Sequence, residues 1–460
     1  MLKYDAIIVG SGQAANPLAH KLAEAGWKTA LIERTFIGGT CINVGCTPTK
    51  TLVASGRLSY LVKRSADYGV NVTGYSIDIE SVIRRKNAHV LEARESSAKR
   101  LLETPNLDVV FGNAVFSGPK EITVTKGEGD IAVMTADHIF INTGTRPVVP
   151  PIQGLAGIHY LTSDTILDLL VVPSHLAIIG GSYNALEFGQ LYRRLGSEVT
   201  IIEGSEEFLA KEDEDIAAAI RKILEEDGIR ILTGTTVSKL EARGEGVGLT
   251  VVTGGASSTI AASHVLVATG RLPDTAALNV AATGVTVDKR GFIVVNDRLE
   301  TSVQGVYALG DVKGGPQFTH ISYNDHLIVY RNLVEHANLS TAGRELIYCL
   351  FTDPELGRVG LSEKMAREKG LNIKVVTLPV SKIARAWEND ETRGMLKAVV
   401  SLDDKKILGA AALCVGGGEL MSILQMAMMG GVTYDRIRDA VYAHPTFAES
   451  LNVLFAGVDG

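Results

Sequence analysis

The feature that most constrains this chain is a pattern of strand, small-residue turn, helix and strand that occurs twice. Tyr4-Asp5-Ala6-Ile7-Ile8-Val9 reads as an apolar strand running into Gly10-Ser11-Gly12-Gln13-Ala14-Ala15. A helix over Asn16 to Ala25 is expected next, and Lys28-Thr29-Ala30-Leu31-Ile32-Glu33 reads as a second strand ending in a carboxylate. The order returns as His175-Leu176-Ala177-Ile178-Ile179, then Gly180-Gly181-Ser182-Tyr183-Asn184-Ala185, then Glu198-Val199-Thr200-Ile201-Ile202-Glu203. Gly10 is as far from Glu33 as Gly180 is from Glu203. Such a parallel βαβ unit presents backbone N–H groups and a helix N-terminus to a pyrophosphate, and a carboxylate to ribose hydroxyls. One fingerprint alone is weak, but two in the same context imply two bound dinucleotides. The fold class is therefore α/β with two Rossmann-like domains.

Two further echoes mark where each unit closes. An apolar strand ends in Asn142-Thr143-Gly144 and another in Ala268-Thr269-Gly270, each followed by Arg and Pro. The chain then reaches Gly305-Val306-Tyr307-Ala308-Leu309-Gly310-Asp311, a strand with a carboxylate at its carboxyl end, where α/β sheets bind ligands. This segment is expected to rejoin the first domain. From Leu346 the pattern turns strand-rich, over Val375 to Val380, Met395 to Ser401 and Ile407 to Leu413, with helices through Met421 to Met429. The expected divisions are a first domain over residues 1–149, a nucleotide domain over 150–270, a return to the first domain over 271–345, and a third domain over 346–460. Methionine usually fills cores, so Met421, Met426, Met428 and Met429 are expected inside that third domain.

Charge and hydropathy exclude two classes. The net charge is −7 and no long Lys/Arg run occurs, so nucleic acid is not an expected partner. No apolar stretch reaches the roughly 18 to 20 residues of a membrane span, and Met1 leads straight into a strand, which points to the cytoplasm. There are four cysteines. Cys349 and Cys414 stand alone in apolar surroundings and read as packing residues. The other two lie in Gly38-Gly39-Thr40-Cys41-Ile42-Asn43-Val44-Gly45-Cys46-Thr47-Pro48-Thr49-Lys50. Cys46 is expected near a helix N-terminus, where the helix field and Lys50 favour thiolate. A structural disulfide or zinc pair is the alternative, but no second pair at zinc spacing accompanies it, and no metal ligand set is expected.

The two turns differ in detail. Gly10, Gly12 and Ala15 supply the small residues of the first. In the second, Gly180 is regular, Ser182 stands where glycine is expected and Ala185 replaces the last glycine. Glu203 would bond both ribose hydroxyls and repel a 2′-phosphate, and Glu206 and Glu207 follow rather than Arg or Lys, so NADH is expected ahead of NADPH. Near the C-terminus, Tyr442-Ala443-His444-Pro445-Thr446-Phe447-Ala448-Glu449 places a carboxylate where it could orient an imidazole. His320 and His326 read as structural, with a flavin-lining role as the alternative. Trp27 and Trp387 read as packing or surface residues.

With these residues in view the chain resembles the class I pyridine nucleotide-disulfide oxidoreductases: dihydrolipoamide dehydrogenase, glutathione reductase, mercuric reductase and their relatives. The resemblance covers nearly the whole chain and is most specific at Gly39 to Lys50, Leu309-Gly310-Asp311, Phe351-Thr352-Asp353-Pro354-Glu355 and His444 to Glu449. It implies an FAD domain split around an NAD(P) domain, followed by an α+β dimerisation domain, with active sites shared between the subunits of a homodimer. It implies that Gly10, Gly12, Ala15, Glu33, Thr40, Ala114, Thr143, Gly144 and Asp311 serve FAD, with Lys50 paired to Glu187 beside the flavin. Gly180, Ser182, Glu203 and Gly270 would serve the nicotinamide dinucleotide, with Tyr183 gating its pocket. It further implies a redox-active Cys41–Cys46 disulfide, Cys46 toward the flavin and Cys41 toward substrate, with His444 and Glu449 of the partner subunit as the proton-transfer dyad.

Within that family the chain looks most like the mercuric-reductase-like branch that includes reactive-chlorine-resistance flavoproteins, through Thr47 to Leu52 and Glu449 to Asn452. Mercuric reductases carry a vicinal cysteine pair near the C-terminus, whereas this chain has Leu454-Phe455-Ala456-Gly457 and no cysteine after Cys414. The expected acceptor is a small disulfide or dithiol. A soft metal ion such as Cu(II) or Hg(II) is a second reading, and a redox sensor with little turnover a third.

Overall fold

The structure is a computed structural model that describes residues 1–459, the side chain of Glu128 excepted. Strand β1 (Leu2–Val9) leads into α1 (Ala15–Glu24) and β2 (Thr29–Glu33). All of β2 is buried, as an apolar run covered on both faces of a parallel sheet must be. Two helices follow, α2 (Gly39–Asn43) and α3 (Cys46–Lys63), and then α4 (Ile79–Leu102), whose N-cap Asp78 accepts from the Ser81 amide. Strands β3 (Leu107–Phe111), β4 (Asn113–Gly118), β5 (Glu121–Thr125) and β6 (Ile131–Ile141) complete a sheet in the order β3-β2-β1-β6-β5-β4. Its β3-β2-β1-β6 part is parallel and its β6-β5-β4 part antiparallel.

The chain leaves through β7 (Thr145–Pro147) and builds a second parallel sheet. This comprises β8 (Leu161–Thr162), β9 (His175–Ile179), α5 (Tyr183–Leu195), β10 (Glu198–Ile202), α6 (Glu214–Glu226) and β11 (Ile229–Leu232). An antiparallel trio, β12 (Thr235–Arg243), β13 (Gly246–Thr253) and β14 (Ala256–Ala262), precedes β15 (His264–Val267). The parallel order is β11-β10-β9-β15-β8. Strand β16 (Arg271–Pro273) pairs antiparallel with β7, so entry and exit are stitched together. Then β17 (Val306–Ala308) joins the first sheet beside β6, and α7 (Thr319–Leu333) covers that sheet together with α1.

The last part is an antiparallel sheet of β18 (Ile347–Leu350), β19 (Glu355–Gly360), β20 (Ile373–Pro379), β21 (Met395–Ser401) and β22 (Ile407–Cys414), ordered β18-β19-β22-β21-β20. Its helices are α8 (Glu363–Glu368), α9 (Ala384–Glu388), α10 (Gly417–Met429), α11 (Tyr434–Arg438) and α12 (Ser450–Ala456). One apolar core spans all three parts: Leu52 of α3, Leu186 and Phe188 of α5, and Leu350, Leu356 and Leu413 of the last sheet. Among the described residues no helix is long and apolar enough to cross a membrane.

Two packing expectations change. Met421 is buried, but Met426 is 65% and Met429 68% exposed, so one flank of α10 faces outward instead of filling a core. Cys414 is fully buried, whereas Cys349 is half-buried with its thiol 3.5 Å from the Glu355 carboxylate, a polar rather than an apolar setting. His326 is buried with neither ring nitrogen bonded, packed edge-on against Tyr323. Burial lowers its pKa to about 4, which keeps the ring neutral.

Candidate active site

Both glycine turns are shaped by what glycine omits. Gly10 has φ +92°, and a Cβ there would lie 2.5 Å from the Asn142 carbonyl oxygen. Gly180 has φ +107°, and a Cβ would collide with the Ala268 carbonyl. The turns thus pack against Asn142 and Ala268, the residues that directly follow the two closing strands, and the remaining echo positions come next in the chain. Thr143 Oγ1 is buried without a partner, and Gly144 and Gly270 both have positive φ. Asn142, not singled out as a site residue by the sequence, holds the first turn. Its Nδ2 donates to Leu309 O at 2.7 Å and its Oδ1 accepts from Ala15 N at 3.3 Å.

The strand-end carboxylates are held by backbone donors. Glu33 accepts from Ser11 N at 3.0 Å, Ser11 Oγ at 2.7 Å and Thr35 N at 2.9 Å. Glu203 accepts from Gly181 N at 2.6 Å and Ser205 N at 2.8 Å. A cavity of about 420 Å³ lies at the second turn, lined by Gly180, Gly181, Ser182, Glu203, Thr269 and Gly270 among others. Asp311, next to the Gly310 turn, accepts from Thr145 Oγ1 at 3.4 Å. Burial raises its pKa, and Arg271 and Lys313 oppose the rise. The turn itself is anchored by buried Asp325, which accepts from Gly310 N at 2.9 Å. Ala114 lies on β4, half-buried at the far end of the first sheet.

One cysteine lies inside a short helix and the other begins the next. Thr40 and Cys41 lie on α2, and Cys46 is the first residue of α3. Gly45 permits the approach: a Cβ there would lie 2.8 Å from Thr40 O and 3.2 Å from Cys41 Cα. Both thiols are unlinked. Each thiol is the largest influence on the titration of the other, and the two move in opposite directions. Cys46 falls to about 6, helped by Thr319 and Lys50 and opposed by burial. Cys41 is pushed far above the ordinary thiol range, chiefly by the neighbouring Cys46 and then by burial. Thr319 Oγ1, 3.2 Å from Cys46 Sγ, was not among the residues expected from the sequence. It begins α7, directly after the segment that carries Asp311.

One turn along α3, Lys50 Nζ donates to Glu187 Oε2 at 2.6 Å and lies 4.6 Å from the Phe351 ring centroid. Glu187 Oε1 accepts from Phe351 N at 2.9 Å, which leaves its buried carboxylate fully bonded. Tyr183 starts α5 one turn before Glu187, and Ser182 is its N-cap position, though its side chain caps nothing. Away from these groups, His444 Nδ1 is 2.9 Å from Glu449 Oε2, and the imidazole is 69% exposed. No hydrogen bond among the described residues joins this dyad to Cys41 or Cys46 of the same chain. His320, also exposed, bonds Ile347 O at 2.6 Å. No cluster of three or more His, Cys, Asp or Glu among the described residues is placed to hold a metal ion.

Comparison with known proteins agrees with this geometry. A family model described as pyridine nucleotide-disulphide oxidoreductase matches residues 4–325, and its dimerisation domain matches residues 347–454. The chain is 40% identical to the probable pyridine nucleotide-disulfide oxidoreductase RclA of Escherichia coli (strain K12), over 99% of both chains. It is 36% identical to a mercuric reductase of Staphylococcus aureus over 98% of this chain and 81% of that one. It is 33% identical to the mitochondrial dihydrolipoyl dehydrogenase of Pisum sativum, over 97% and 90%. A solved Cu(II) complex of the HOCl-induced flavoprotein disulfide reductase RclA from Escherichia coli superposes with a TM-score of 0.91 at 39% identity, over 100% of both chains. Two nucleotide-shaped turns, a dithiol between them and relatives matched end to end lead to one conclusion: the chain belongs to the class I pyridine nucleotide-disulfide oxidoreductases, FAD-dependent enzymes that use a pyridine nucleotide.

Proposed function

We propose that the protein works as a cytoplasmic homodimer that passes two electrons from NADH through FAD to Cys41 and Cys46 and on to a small disulfide or dithiol-type molecule. The observation that carries this reading is the placement of the pair: Cys46 begins α3 with Thr319 Oγ1 3.2 Å from its sulfur and the Lys50–Glu187 pair one turn on, a setting that favours thiolate and that a structural pair would not need. FAD, when bound, supplies the two-electron relay between nicotinamide and sulfur. The tight turn of Gly10, Gly12 and Ala15 and the unbonded Thr143 hydroxyl fit such a group. Glu33 would take the adenosine ribose and Asp311 the ribityl chain. Thr40, Ala114 and Gly144 would line the cofactor, and the Lys50–Glu187 pair would stand beside the flavin. We place the domain divisions after residues 149, 270 and 345.

In the dithiol, Cys46 holds the negative charge and Cys41 the proton. Cys41 loses that proton to Nε2 of His444 of the partner subunit, whose Nδ1 is held by Glu449. The Cys41 thiolate attacks one sulfur of the substrate disulfide, whose S–S bond breaks, and the released thiolate takes the proton from the imidazolium. Cys46 then attacks the mixed disulfide at Cys41, freeing the second substrate thiolate and restoring the Cys41–Cys46 disulfide. The exposed apolar flank of α10, with Ile423, Met426 and Met429, supports a second copy as the partner.

Glu203 supports NADH over NADPH, because a 2′-phosphate would meet a carboxylate already held in place. Glu203→Ala should weaken NADH binding about tenfold, as expected for loss of charge-assisted bonds. Equal flavin bleaching by NADPH in the unmodified enzyme would overturn the preference. For the acceptor, the test is a panel of disulfides, dithiols and metal ions offered to NADH-reduced enzyme. Reduction of Cu(II) is the second reading, favoured by two converging soft sulfurs and by the solved Cu(II) complex of a relative. Turnover with Cu(II) but with no disulfide would replace the first reading by the second. A passive sensor would show no sustained NADH oxidation.

A further inference from the structure

Tyr183 directly follows the second glycine turn, and Glu187, one turn later, holds Lys50, which is one turn beyond Cys46. A dinucleotide whose pyrophosphate sits at Gly180 must therefore extend past the Tyr183 ring to bring its nicotinamide toward the flavin. That ring is not free. Tyr183 Oη donates to Glu212 Oε1 at 2.9 Å, and Tyr348 Oη donates to the same oxygen at 2.5 Å. Arg358 Nη1 lies 3.3 Å from Glu212 Oε2, and the Glu212 side chain is 0% exposed. The two tyrosine rings stack with centroids 5.6 Å apart, and Tyr348 stacks in turn on Phe318, 5.4 Å away and nearly parallel.

The three donors around Glu212 are not equivalent. Tyr348 and Arg358 belong to β18 and β19 and are buried, so their positions are fixed by packing. Tyr183 is half-exposed at the start of α5. A buried carboxylate needs partners, and with Tyr348 and Arg358 in place Glu212 keeps two of them when Tyr183 leaves. The arrangement thus has one detachable member on a fixed base. Burial and the adjacent Glu212 charge also keep the Tyr183 phenol protonated, so it remains a donor.

We propose that Glu212 is a positioning residue for the nicotinamide step: through Tyr183 Oη it holds the ring in a resting position across the nicotinamide route, and the ring gives up this single bond when a nicotinamide takes its place. The proposal rests on the second turn being the nicotinamide site. Because Tyr348 and Arg358 come from the last sheet, the resting ring is set by two units of the fold rather than by α5 alone.

The test is rapid-mixing reduction of the FAD-loaded enzyme by NADH, read as flavin bleaching against NADH concentration. Tyr183→Phe keeps the ring and removes the bond, and the apparent dissociation constant for NADH should fall about tenfold, the scale of one hydrogen bond to a charge. Glu212→Gln should shift it in the same direction, and the double variant should go no further than Tyr183→Phe alone. An unchanged dissociation constant in Tyr183→Phe, or additive shifts in the double variant, would overturn the tether. Tyr183→Phe keeps every partner of Arg358, so it reads the tether even where Glu212→Gln folds poorly. If neither NADH nor NADPH bleaches the parent enzyme, the nicotinamide reading itself falls; if the parent bleaches and Tyr183→Phe is unchanged, only the tether does.

Discussion

At the Cys41–Cys46 pair the neighbour that matters most is the other thiol. Helix position and Lys50 were the causes legible in the sequence, yet the neighbouring Cys41 outranks Thr319 and Lys50 in lowering the pKa of Cys46. Its depressed pKa means that the thiolate is present above about pH 6 and is lost as pH falls through that value. In Cys41→Ala that neighbour is gone while burial stays. The Cys46 pKa should then rise by about one unit or more, moving the onset of thiolate to higher pH. Titrating the ultraviolet thiolate absorbance of the reduced protein checks this, and an unchanged midpoint would show that Thr319 and Lys50 suffice.

Among the elements, the two turn-and-helix units should fail separately. Gly10→Ala forces both a strained φ and a clash with Asn142, so the purified protein should lose most of its FAD. Gly180→Ala meets the same conflict with Ala268, and here FAD should be retained while bleaching by NADH is lost. Flavin content and bleaching rate, measured on both variants, separate the two outcomes. These units were legible because strand, turn, helix and terminal carboxylate follow one another in sequence. Asn142 and Thr319 were harder. Each acts across a gap of more than 120 residues, Asn142 on Ala15 and Thr319 on Cys46, and neither residue type has a periodicity to mark it. Glu212 was hidden for the same reason: its phenol and guanidinium partners are brought to it by tertiary packing, and a lone glutamate before an acidic helix start reads as solvated surface. The outward methionines of α10 were misread because methionine's general habit of filling cores does not say whether a given helix face is covered inside one chain.

For the whole molecule, the exposure of His444 and its distance in the bonding network from Cys41 set a test of how many chains make one site. If the dyad serves the thiols of a second copy, Cys41→Ser and His444→Ala proteins are each inactive alone. When they are unfolded and reassembled together, half of the dimers are mixed, and each mixed dimer holds one intact pairing, so about a quarter of the parental activity should return. No recovery would place the dyad with the thiols of its own chain.

The apolar core that joins α3, α5 and the last sheet also limits how this protein can change. The far end of α3 is fastened as well: Ser59 and Lys63 donate to Arg194 O, and Arg57 and Arg194 pair with Asp353. The nucleotide unit between β7 and β16 is therefore not a cassette, although its two ends lie side by side. A transplanted unit from a relative would arrive with foreign side chains at its seams with α3 and with the last part of the chain. On the proposed role of Glu203, a change of coenzyme preference is better sought at that residue than by exchange of the unit.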